Sequence, residues 1–89
     1  MTRQVKSPSR AEVLAVAGKV NGTVRSTVMA ERLGVHARTI RRCFQRGGLP
    51  GAKEHGERIL EVPTRLLRLA EAYGLRRVEI MARNGQLPN

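Results

Sequence analysis

The stretch from Ser26 to Pro50, STVMAERLGVHARTIRRCFQRGGLP, constrains this chain more than any other. It reads as two short helices joined by a sharp turn at Leu33-Gly34-Val35. The first helix carries Val28, Met29, Ala30 and Leu33 inward, and the second carries Ile40, Cys43 and Phe44. Gly34 supplies the left-handed backbone that a tight turn between helices needs, at no steric cost. Ala30, just before it, is small enough for the second helix to cross close to the first. Ile40, after the turn, returns to the interior and pins the crossing.

Small residue, Gly and apolar residue at this spacing is the pattern of a DNA-binding helix-turn-helix. With Ile40, Cys43 and Phe44 inward, Arg38, Thr39, Arg41, Arg42 and Gln45 are left towards solvent, with Arg46 at the helix end. His36 begins the helix, within reach of a phosphate. Arginine bonds guanine O6 and N7 bidentately or clamps phosphates, and Gln pairs with adenine N6 and N7. No acid lies between Glu31 and Glu54, which suits a groove lined by phosphates. The bland alternative is a solvated basic face on an ordinary helical hairpin.

Charge points the same way. The 17 Lys and Arg against 7 acids leave a net charge of +10 over 89 residues, a surplus that implies a polyanionic partner. Phe44 and Tyr73 are the only aromatic residues, which counts against a single-strand binder that stacks bases. No long basic amphipathic helix suggests a membrane surface, no apolar run approaches a membrane span, and no signal peptide is visible. With one Cys there is no intrachain disulfide, so a reducing cytoplasm, in association with the nucleoid, is the expected home. The length suits one domain, with little room for a catalytic cleft.

Residues 1–8 read as a flexible basic arm, either solvated or reaching a minor groove through Arg3, Lys6 and Arg10. Residues 9–89 read as the single domain, with its core over 24–74. Ser9-Arg10-Ala11-Glu12 forms a capping box for a packing helix that Asn21-Gly22 ends, although its β-branched Val residues also suit a strand. After Gly47-Gly48 and Leu49-Pro50, a β-hairpin is expected, with strands Gly51–Lys53 and Arg58–Val62 and a tip at Glu54-His55-Gly56-Glu57. Such a hairpin, directly after a recognition helix, is a wing, able to lie along the neighbouring phosphates. Pro63 opens a helix bearing Leu66, Leu67, Leu69, Ala70 and Tyr73, closed by Gly74. Arg76 to Arg83 forms either a further helix or, around Val78-Glu79-Ile80, a strand. The echo between QRGGLPG and ARNGQLPN is read as shared helix-stop chemistry rather than duplication.

Met29-Ala30-Glu31-Arg32-Leu33-Gly34-Val35, Thr39-Ile40-Arg41-Arg42, Gly48-Leu49-Pro50 and Leu60-Glu61-Val62-Pro63 with Leu67 follow a specific order. That order resembles the winged-helix DNA-binding head of the MerR superfamily, and within it the small excisionases, or recombination directionality factors, of phages and integrative elements. The resemblance spans about Val24 to Tyr73. It implies a mainly α fold with a small β-hairpin, a winged helix-turn-helix. It also implies a recognition helix in the major groove (His36, Arg38, Thr39, Arg41, Arg42, Gln45, Arg46) and a wing in the adjacent minor groove (Lys53, His55, Arg58), with bending of the duplex. The chain departs from the family in its first cap, where Ser26 or Thr27 is nearest and Val28 replaces an acid, and in its acidic wing tip. The long dimerisation helix of full MerR-type activators has no counterpart heptad here, which argues against metal- or drug-sensed activation.

The expected function is therefore binding and bending of duplex DNA at repeated sites, steering a partner integrase (a tyrosine or serine recombinase) towards excision. One recognition helix reads too few base pairs for a unique site, so head-to-tail self-association on DNA is expected as well. A small winged-helix transcriptional regulator is the first rival, and a basic RNA- or ribosome-binding structural protein the second. No catalytic residue, metal or cofactor is expected: Cys43 reads as a buried core thiol, and neither His36 nor His55 has a nucleophile or carboxylate partner arranged by the sequence.

Overall fold

In a computed structural model, residues 8–56 and 59–87 are described, and they form a mainly helical protein with a small antiparallel sheet. The elements run α1 (Arg10–Ala17), β1 (Thr23–Arg25), α2 (Ser26–Leu33), α3 (Ala37–Gln45), β2 (Lys53–His55), β3 (Ile59–Pro63), α4 (Thr64–Tyr73) and α5 (Leu75–Arg83). The expected arm at residues 1–8, apart from Pro8, lies outside the described residues, as does Arg58.

Helix α1 starts as the capping pattern requires, with the Ser9 hydroxyl accepting the Glu12 N–H at 3.2 Å. It ends at Ala17 rather than at Asn21: Gly18 caps it, its N–H donating to the Leu14 carbonyl at 2.7 Å, and Gly22 then leads into a strand, its carbonyl accepting the Thr64 N–H at 2.9 Å. That strand, β1, was not foreseen. It pairs antiparallel with β3, Val24 opposite Val62 and Arg25 opposite Glu61, so the sheet order is β1-β3-β2 and β3 is central. Strand β1 runs straight into α2, whose N-cap is Arg25; Ser26 is buried in the first turn and caps nothing with its side chain.

The turn between α2 and α3 follows the expectation. Gly34 is left-handed (φ 68°, ψ 30°), its N–H donating to the Glu31 carbonyl and the Val35 N–H to that of Ala30. These are the paired bonds of a Schellman stop. The same pair recurs after α3 (Gly47 to Phe44, Gly48 to Cys43) and after α5 (Gly85 to Ala82, Gln86 to Met81). The echo noted in the sequence is thus helix-stop chemistry used twice, each time followed by a Leu packed inward, Leu49 and Leu87.

Met29 and Ala30 of α2 and Ile40 and Cys43 of α3 are buried together, but Val28 is exposed and Phe44 only half-buried. The hairpin differs from expectation in its near strand. Residues 51–52 form a turn, and pairing begins at Lys53, opposite Glu61, and continues through His55, opposite Ile59. Glu54 and His55 therefore belong to a strand and not to the tip. Helix α4 is the hub: Leu66, Leu67, Leu69 and Ala70 are all buried, and α1 and α5 both pack on it. Residues 75–83 are a helix, not a strand, and Val78 and Met81 are wholly buried. With Val13 and Ala17 of α1 they extend the core well beyond residues 24–74.

Candidate nucleic-acid interface

Helix α3 leaves one side to the core and the opposite side to solvent, as its alternation of apolar and basic residues dictates. Arg38, Arg42 and Gln45 recur at one-turn spacing and are exposed, forming a stripe along the helix. Arg38 and Arg42 have no ion-pair partner among the described residues. His36, also exposed, is the N-cap residue. Arg41 stands on the hairpin side of the stripe, where its Nη1 donates to Glu54 Oε2 at 3.1 Å.

Thr39 and Arg46 lie on the other flank. They border a groove of about 550 Å³ whose far wall is Leu75, Ile80 and Arg83 of α5. Arg46 is tied down there: its Nε donates to Glu79 Oε2 at 3.0 Å and its Nη2 to Oε1 at 2.9 Å. Arg83 reaches the same carboxylate at 3.1 Å. The Arg46 hydrogen bonds hold the Glu79 carboxyl below the usual range, although burial works the other way. Next to it, burial, reinforced by the Glu79 charge, pushes the Cys43 thiol up to about 11. Cys43 is thus the inert core thiol expected from the sequence.

Strand alternation sorts the hairpin residues. Val24, Leu60 and Val62 face the core, and Thr23, Arg25, Lys53, His55, Ile59 and Glu61 share the outer face. Glu61 sits in the middle of that face. Its Oε2 accepts from Thr23 Oγ1 at 2.7 Å, and its Oε1 lies 2.8 Å from His55 Nε2. Lys53 and Arg25 stand opposite it in register on either side. Arg25 was missed as a candidate, because Thr23–Arg25 becomes a strand only through its pairing with Glu61–Pro63.

Four of the expected α3 residues, Arg38, Arg41, Arg42 and Gln45, thus share one side of the helix, and the hairpin meets it through Arg41 and Glu54, whereas Lys53 and His55 lie on the opposite, outer face of the sheet. Arg46 is committed to α5. The absence of acid between Glu31 and Glu54 in the sequence does not carry into space, because Glu54 and Glu79 arrive on either flank of α3. Among the described residues, no helix is long and apolar enough to cross a membrane. Comparison with protein-family models, with curated proteins and with solved structures finds no match to this chain.

Proposed function

We propose that this chain is a sequence-specific duplex-DNA-binding protein of the winged helix-turn-helix type, acting as an excisionase or recombination directionality factor. The observation that carries this reading is the exposed stripe Arg38, Arg42 and Gln45 on α3, joined to the hairpin through Arg41 and Glu54. A short helix with that face fits a major groove, and a hairpin beside it bearing Lys53 reaches the flanking phosphates. The surplus of +10 supplies the generic attraction that draws the protein to the duplex. Copies bound head to tail on adjacent repeats add their bends, and the recombination chemistry belongs to a partner integrase, a tyrosine or serine recombinase.

The test has two stages. The protein is titrated at one fixed salt concentration into duplex DNA, single-stranded DNA and duplex RNA of the same sequence. Tightest binding to duplex DNA is expected; a preference for either RNA or the single strand overturns the reading. A footprint is then taken across the DNA flanking its gene. Tandem protected repeats beside a recombination site are expected, whereas an isolated footprint on a promoter assigns the protein to transcriptional regulation instead.

A further inference from the structure

Arg41 differs from Arg38 and Arg42 in being held. Its guanidinium is fixed by Glu54 at 3.1 Å in a pair whose side chains are 31% and 44% exposed. The sheet register explains the meeting: Glu54 pairs with Leu60, on the side of the hairpin that looks towards the core and hence towards α3. We propose that Glu54 is a positioning residue that makes Arg41 a reader of guanine instead of a clamp on phosphate, so that the hairpin sets part of the specificity of α3. This inference rests on the duplex-DNA reading above.

A guanidinium carries five N–H donors in a rigid fork. The bond from Nη1 to Glu54 leaves Nε and Nη2 open, and that forked edge matches the O6 and N7 acceptors of guanine. Rotamer freedom already lost in the free protein is not lost again on binding, which strengthens the one contact the fixed geometry allows. The carboxylate also acts by repulsion. A phosphate brought to Arg41 would meet the charge of Glu54, whereas a neutral base edge would not. On a chain of net charge +10, generic attraction is abundant and discrimination is scarce. An acid touching the reading face raises the second at the expense of the first.

The probe is a pool of duplexes randomised over one helical turn, bound by the full chain and sequenced. Wild type, Glu54→Gln and Glu54→Ala are compared. Wild type is expected to select guanine at one position, and both variants to lose that preference by about two- to tenfold while keeping the others. Affinity for the unselected pool should rise in the variants, with a log–log salt slope steeper by about one as the freed Arg41 takes a phosphate. In an Arg41→Ala background, Glu54→Gln should leave every base preference unchanged. Identical preferences in wild type and both variants would overturn the positioning role and leave the duplex reading standing. Wild type that binds duplex no better than single strand, and selects nothing, overturns both.

Discussion

At Gly34 a single added Cβ does its harm through the backbone alone. The position has open space around it, so the left-handed φ of 68° is the whole constraint. Gly34→Val is expected to cost about 1–3 kcal/mol, the strain of a β-branched residue held there, read as a lower urea midpoint with unchanged slope. Gly48 is the opposite case, because a Cβ there would lie 2.7 Å from Cys43 Sγ and 2.6 Å from Glu79 Cγ. Around it, Glu79 gives the protein an acid sensitivity of definite sign. Its carboxyl is held low by Arg46 in the folded chain, so the stabilisation is full above the ordinary carboxylate range. It is lost as pH falls through the folded value. Urea midpoints measured from neutral pH down into the acid range should therefore fall less steeply for Glu79→Gln than for wild type. Parallel curves would show that Arg46 does not stabilise the charged form. On the alkaline side Cys43 acts in reverse: its thiol is raised to about 11, so its contribution is full below 9.0 and fades as pH climbs towards the folded value.

Among the elements, α3 divides its arginines between two tasks. Arg42 is exposed and unpaired among the described residues, and Arg46 is bonded twice to α5. Arg42→Ala should reduce discrimination between duplex sequences by about 1–3 kcal/mol with the unfolding midpoint unchanged. Arg46→Ala should lower the midpoint and leave sequence preference intact. Anisotropy titrations beside urea curves separate the two; the reverse assignment would mean that α3 presents another face. That division was invisible in the sequence, where Arg42 and Arg46 are equivalent basic residues one turn apart. It depends on Glu79, 33 residues further on, and nothing local announces such a partner. What was legible was local: the Gly34 turn, the Ser9 cap, the glycine stops and the apolar stripe of α4 all rest on bonds spanning a few residues. Strand β1 and the true extent of β2 were illegible for the same reason, since three residues acquire strand geometry only from a distant partner. Arg25, exposed on the outer face, went unseen along with its strand.

For the whole molecule, the extended core changes what a truncation can report. The core expected over residues 24–74 leaves α5 outside it, yet Val78 and Met81 are fully buried. Two such side chains are worth about 1.5–3 kcal/mol each, a large share of a typical stability of about 5–15 kcal/mol. A chain ending at Gly74 should therefore fail to fold cooperatively by circular dichroism, and a cooperative transition would show that α5 is dispensable. The surface contribution of α5 is better probed at Ile80, which is 44% exposed. Ile80→Glu should keep the fold and the affinity for a single site while lowering cooperativity on tandem repeats. Unchanged cooperativity would place the contact between copies elsewhere. The position of β3 at the centre of the sheet has a consequence for how the protein is made. Strand β1 waits for Ile59–Pro63 to supply its partner, and the entire α2–α3 pair lies inside the loop that this pairing closes. Closing a loop of that length carries an entropic cost that the short helices cannot recover by themselves. Until residue 63, and much of α4 behind it, has been made, α2 and α3 have only each other to pack against. The basic face of α3 is thus expected to reach its final form only after β3 and α4 have been made.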